Sequence, residues 1–125
     1  MIPYDSAYSF IVLVVSTDTN IAQMRTIMLK EAGYFAYAVK SPNEANEILQ
    51  VIKFDLAILD HTLDMIDRIN LVQSIRQVTS ATRILVLHGS GADCGADLHL
   101  DSRDGPDLVM SGLAMLLGRA IPHED

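Results

Sequence analysis

The residue best placed for chemistry in this chain is an aspartate. Asp60 closes the run Phe54-Asp55-Leu56-Ala57-Ile58-Leu59-Asp60, a short apolar stretch that ends abruptly in a carboxylate and is followed by His61, Thr62, Leu63 and Asp64. An α/β sheet delivers a side chain to its ligand-binding edge in this way, because open parallel sheets take ligands outside the carboxyl ends of their strands. A second acidic corner follows the run Phe10–Val15, where Ser16, Thr17, Asp18, Thr19 and Asn20 supply hydroxyls and one carboxylate. Asp60 is the first candidate for chemistry, and two kinds of ligand suit the residues around it. Asp18, His61 and His88 could hold a transition metal, since imidazole and carboxylate are its ordinary ligands. The hydroxyl-rich loop could cradle the phosphate of FMN at a helix N-terminus, but it lacks glycine and no aromatic pair is evident to sandwich a flavin.

Elements must exist to position these groups, and strand and helix periods alternate along the chain. Phe10–Val15 is a continuous apolar, β-branched run, as in a strand buried on both faces. Ile21, Met24, Met28 and Leu29 form a helical stripe, with Gly33 placed to end the helix over 21–32. Tyr34–Val39 reads as a second strand. Ser41, Pro42 and Glu44 make a capping box with proline at the first helical position, predicting a helix to about Ile52. Phe54–Asp60 is the third strand, and Leu71, Ile75 and Val78 mark a third helix. Arg83–Leu87 and Asp97–Asp101 are the fourth and fifth strands. Gly105, Pro106 and Asp107 open a last helix ending near Ala120. Such alternation means parallel βαβ units with right-handed crossovers. Five strands of this size fit a flavodoxin-like doubly wound sheet of order 2-1-3-4-5.

Composition bounds the partners. The 125 residues suit a single domain, with residues 1–9 as a short lead-in and the whole compatible with the N-terminal domain of a longer protein. A net charge of −7, with nine basic residues scattered along the chain, argues against a nucleic-acid partner. No segment approaches the roughly 20 apolar residues of a membrane span. The single cysteine, Cys94, excludes an internal disulfide and suits a reducing cytoplasm. Asp93, Asp97, Asp101, Asp104 and Asp107 match no calcium loop in spacing and read as a solvated acidic rim.

From Val14 to Arg76 the chain resembles the receiver domain of bacterial two-component response regulators. The resemblance rests on Val14-Val15 before the acidic corner, Lys30-Glu31-Ala32-Gly33-Tyr34, and Asp55-Leu56-Ala57-Ile58-Leu59-Asp60. Leu63, Asp67 and Leu71 also fall where the following loop and helix of receivers need them. It implies that Asp60 stands where receivers carry the aspartate that takes a phosphoryl group from a histidine kinase. It also implies helpers, because phosphorylation adds about two negative charges at the sheet edge, offset by Mg²⁺ on acidic side chains and by a lysine. Those helper positions are altered. The acidic pair is Ser16 and Thr17, with only the next residue, Asp18, acidic. The hydroxyl position ending the fourth strand is His88, the aromatic switch position is His99, and the lysine position is Ser102, followed by Arg103. The proline and glycine usual after the phosphoacceptor are Asp64 and Arg68. The expectation is a pseudo-receiver in which Asp60 is vestigial, with no catalysis and no cofactor; Mg²⁺, with Asp18 and Asp60 as weak candidate ligands, enters only if the alternative, a regulator phosphorylated on Asp60, holds.

A second departure concerns the helix that receivers place between the fourth and fifth strands. Only Gly89–Gly95 intervenes here, seven residues with three glycines, too few for turn, helix and turn. About ten residues at roughly 3.3 Å each would still recross a short strand in an extended path. A loop is therefore expected in place of the helix, with an antiparallel last strand as the lesser alternative. The last helix is apolar nearly all round, so Leu108, Val109, Leu113, Leu116 and Leu117 are expected at an interface. The sequence thus points to a cytoplasmic signalling module that contacts protein partners and homodimerises through the last helix and the β4–β5 region, without need of phosphorylation.

Overall fold

The structure, a computed structural model, describes residues 10–87, 95–101 and 105–118. Five strands, β1 (Ile11–Val15), β2 (Phe35–Val39), β3 (Leu56–Leu59), β4 (Arg83–Leu87) and β5 (Leu98–Leu100), form one sheet of order β2-β1-β3-β4-β5. Every neighbouring pair is parallel, so the expected doubly wound topology is present. The helices are α1 (Thr19–Glu31), α2 (Pro42–Leu49), α3 (Met65–Val78) and α4 (Pro106–Leu116). Thus α4 here is the last helix, and it ends at Leu116 rather than near Ala120.

The two faces of the sheet explain the continuous apolar runs. Leu13, Val15, Ala57, Leu59, Ile84 and Val86 pack on one face with α2 and α3 through Ala45, Leu49, Leu71 and Ile75. Val12, Val14, Leu56, Ile58, Leu85 and Leu87 pack on the other with α1 and α4 through Leu29, Val109 and Leu113. Alternate residues of each strand feed opposite faces, and both are covered.

Local signals act as the sequence predicts, with small shifts. The Ser41 hydroxyl accepts the Glu44 N–H at 3.1 Å, but the Glu44 carboxylate accepts from Lys40 N–H rather than from the cap residue itself. Gly33 takes φ of 95°, a conformation in which a side chain would be strained, and lets Tyr34 N–H bond back to Leu29 O.

The amino-terminal edge of the sheet is stitched by side chains. Asp55 Oδ2 accepts from Ile11 N–H at 2.8 Å, and Thr82 Oγ1 donates to Phe54 O at 2.6 Å. Asp97 Oδ2 accepts from Ile84 N–H at 2.7 Å and pairs with Arg76 at 3.1 Å. Asp97 is exposed, as the reading of an acidic rim expects, and it also holds a strand-start donor and an arginine. A strand start leaves backbone donors without ladder partners, and a carboxylate one strand away satisfies them. Asp107 is exposed as expected, whereas Asp93, Cys94 and Asp104 lie outside the described residues.

β4 and β5 are parallel, with Leu85 opposite Leu98 and Leu87 opposite Leu100, so the antiparallel alternative is wrong. Among the described residues no helix stands between these strands; residues 88–94, where the expected loop falls, lie outside them. α4 reaches β5 through a close approach, because a Cβ on Gly112 would sit 2.9 Å from a Leu98 methyl.

The expected interface set divides. Val109 and Leu113 are buried in the chain's own core and are not available to a partner, while Leu108 is 46% exposed and Leu116 and Leu117 are partly covered. An apolar helix packed beside a sheet spends its first stripe internally, and only the second is left over. Leu113→Ala is therefore expected to cost about 2–5 kcal/mol in urea unfolding. Leu108→Ala should stay within roughly 0.5 kcal/mol of the parent.

Candidate functional site

Asp60 follows the last residue of β3, and its backbone N–H donates to Val15 O at 3.2 Å, extending the β1–β3 ladder by one step. The two-residue period along the strand turns its side chain to the face of Ile58, the face covered by α1 and α4. The carboxylate has no solvent exposure. An ionised carboxylate in such a place needs partners, because burying a charge alone is costly.

One oxygen is fully engaged. Oδ1 accepts from the Thr62 backbone N–H at 2.9 Å and from the Thr62 hydroxyl at 2.5 Å. That hydroxyl in turn accepts from Thr17 N–H at 2.8 Å and lies 3.4 Å from Ser16 Oγ. Thr62 thus joins the loop after β1 to the loop after β3. Ser16 is buried and turned inward, donating to Asp18 O and accepting from Asp18 N–H, both at 3.2 Å.

The second oxygen faces a cation that belongs to the fold. Arg25 Nε, from the middle of α1, stands 3.9 Å from Asp60 Oδ2, and neither atom has a hydrogen-bond partner among the described residues. The Arg25 side chain is 13% exposed, and burial lowers its pKa from the ordinary guanidinium value against the opposing pull of Asp60. Arg25 also floors a cavity of about 120 Å³ between α1 and α4, lined by Met24, Met28, Pro106, Val109 and Met110.

The other expected site residues are placed as follows. Asp18 is the N-cap of α1, its Oδ1 accepting from Asn20 N–H at 2.9 Å and Ile21 N–H at 3.1 Å. Thr17 is exposed beside Thr62, and His61 is exposed. His99 lies on β5 opposite Val86. His88, Ser102 and Arg103 lie outside the described residues. Among the described residues no three His, Cys, Asp or Glu side chains converge to hold a metal. A hard divalent cation needs formal negative charge. Around Asp60 the donors are hydroxyls, and Asp18 is spent on a helix end, so these residues do not fit Mg²⁺.

Two arginines, Arg25 partly buried and Arg68 buried, escape a reading based on motifs. Arg25 lies four residues after Ile21 and four before Leu29, on the apolar stripe of α1. Arg68 lies three before Leu71 and seven before Ile75, on the stripe of α3; it is buried and donates from its guanidinium to Leu63 O. A charged residue in phase with a buried stripe is the signal that could have found both. Arg68 pins the loop that carries Thr62, and Asp64 caps α3 by accepting Asp67 N–H at 2.9 Å.

Removing one member of a buried pair leaves the other uncompensated, at about 3–5 kcal/mol. Arg25→Met is therefore expected to destabilise the domain by roughly that amount, and the double variant Arg25→Met/Asp60→Asn to recover most of it. Urea unfolding of the parent, Arg25→Met and the double variant checks both outcomes.

No model of a known protein family matches the chain. Among curated proteins it matches the cell cycle transcriptional regulator CtrA of Caulobacter vibrioides, in two strains, with 29% identity over 79 residues. The match covers 63% of this chain and 34% of that regulator, so the chain spans about a third of the length of the curated relatives it matches. Solved structures agree over far more of the chain. A CheY-like receiver domain protein from Methanospirillum hungatei superposes with a TM-score of 0.80 at 18% identity, covering 87% of this chain and 94% of that one. A two-component response regulator from Clostridium difficile gives 0.78 at 22% identity, covering 88% and 97%. The response regulator TrrA of Thermotoga maritima, solved in complex with Mg²⁺ and BeF, gives 0.76 at 23% identity, covering 86% and 98%. The fold is therefore that of response-regulator receiver domains. No helix among the described residues is long and apolar enough to cross a membrane.

Proposed function

We propose that this chain is a receiver domain of two-component signalling that works by protein–protein contact, in the cytoplasm and without phosphorylation of Asp60. The fold and the curated relative support the receiver part of this reading. One observation carries the rest: the Asp60 carboxylate is wholly buried, with one oxygen closed by Thr62 and the other set against Arg25.

Phosphoryl transfer to a carboxylate needs in-line approach of the donor to an exposed oxygen, together with cations aimed at the equatorial oxygens of the group in flight. Asp60 offers no exposed oxygen. Reaching Oδ1 would break the Thr62 hydrogen bonds, and reaching Oδ2 would require α1 to give up the Arg25 contact. The carboxylate is better suited to holding two loops and one helix in fixed relation. Signalling then belongs to surfaces: the exposed part of α4, where Leu108 and Met115 remain uncovered, and the region joining β4 and β5. A homodimer through that side is the partner arrangement the apolar excess of α4 favours.

Incubation of the protein with acetyl phosphate and Mg²⁺ tests the reading. The expected result is an intact mass unchanged from the untreated protein and identical to that of Asp60→Asn under the same conditions. A phosphoryl adduct that forms on the parent and not on Asp60→Asn would restore the alternative, a regulator phosphorylated on Asp60 by a histidine kinase.

A further inference from the structure

The far edge of the sheet, away from both Asp60 and α4, carries a second feature. β2 is an edge strand with the sequence Phe35-Ala36-Tyr37-Ala38-Val39, and it contains no proline, glycine or charge. Soluble proteins normally blunt such edges with lysine, proline or a bulge, because unpaired backbone groups recruit other strands. Here Phe35 is 58% and Tyr37 45% exposed.

The ladder fixes which groups are open. Phe35 N–H donates to Phe10 O, and Val39 O accepts from Ser16 N–H, so residues 35, 37 and 39 direct their backbone groups to β1. Ala36 and Ala38 alternate with them and direct theirs outward. Among the described residues nothing pairs with that side.

Two grooves flank the strand, one on each face. The first, about 490 Å³, runs along α1 and is lined by Ile27, Lys30 and Lys40. The second, about 440 Å³, runs along α2 and is lined by Tyr37, Glu44, Glu47 and Val51. Ile27 and Val51 are themselves exposed. A strand added to the edge would drop alternate side chains into the two grooves.

We propose that the β2 edge is a docking site for an extended segment of a partner protein, bound by strand addition through Ala36 and Ala38. Its chemistry follows from the grooves: acidic side chains over Lys30 and Lys40, alternating with apolar and basic ones over Tyr37, Val51, Glu44 and Glu47. A second copy of this chain fits less well. Edge-to-edge pairing of two β2 strands runs antiparallel about an axis normal to the sheet, which brings lysine groove to lysine groove and glutamate groove to glutamate groove. Like charges so placed oppose the pairing.

The site stands apart from the reading of Asp60, and Asp60→Asn should leave it intact. The probe is a short acetylated peptide alternating glutamate with valine and lysine, titrated into the full chain and followed by backbone amide shifts and hydrogen exchange. The expected result is saturable binding, with shifts and slowed exchange centred on Ala36 and Ala38. A scrambled peptide of the same composition should not bind. Ala38→Pro removes only an outward N–H and keeps the extended backbone, so it should abolish binding while the amide spectrum elsewhere stays native. Lys30→Glu/Lys40→Glu should weaken binding by roughly tenfold without touching the strand. The proposal is overturned by an absence of binding at roughly millimolar peptide, by binding indifferent to both variants, or by self-association that Ala38→Pro abolishes.

Discussion

Everything around the candidate site depends on how a fully buried carboxylate is neutralised. Asp60 sits at the end of a strand hemmed in by β1 and β4, where water cannot solvate it, and the chain answers with one hydroxyl residue and one arginine. Thr62 donates twice to one oxygen and at the same time accepts from Thr17, so a single side chain closes two loops over the carboxylate. Arg25 supplies the opposing charge from α1. That charge belongs to the fold itself, carried on α1 beside the buried carboxylate.

The scaffold accounts for that arrangement. Parallel strands in register bring the ends of β1 and β3 together, which places Ser16 and Thr17 beside Thr62. The face rule then turns Asp60 toward α1 rather than toward the open edge. Arg25 reaches it because the sheet face beneath α1 and α4 is not completely filled: a small methionine-lined cavity gives the guanidinium room beside Ile58. Methionine suits such a place, since its unbranched chain adapts to an irregular gap. At the opposite edge of the sheet the same architecture uses carboxylates differently. Asp55 and Asp97 accept strand-start N–H groups.

Much of this was legible in the sequence. Alternating periods, the Ser41 cap, Gly33 and the buried runs specify the sheet order and nearly every element, because each depends on local physics. The altered positions around Asp60 were also visible as types: Ser16 and Thr17 cannot replace carboxylates as ligands for a hard cation. The charged neighbour of Asp60 was not visible, because it lies across the fold. Arg25 belongs to a helix that the apolar stripe alone describes as core, and only packing shows that its charge meets Asp60. Asp97 looked like one carboxylate in an acidic run, and its role appears only when β4 is set beside it. The apolar excess of α4 was legible as more than one buried stripe needs, but not which residues form that stripe: Val109 and Leu113, expected at an interface, are consumed by the domain itself.

We propose Arg25, rather than a metal, as the counter-charge of Asp60. The side-chain Nε–H resonance of Arg25 reports on it directly, recorded with and without Mg²⁺ and beryllofluoride. The account predicts a signal protected from exchange with water, displaced by Asp60→Asn and unmoved by the additions. A signal that exchanges freely, or that shifts saturably when Mg²⁺ and beryllofluoride are added, would contradict it.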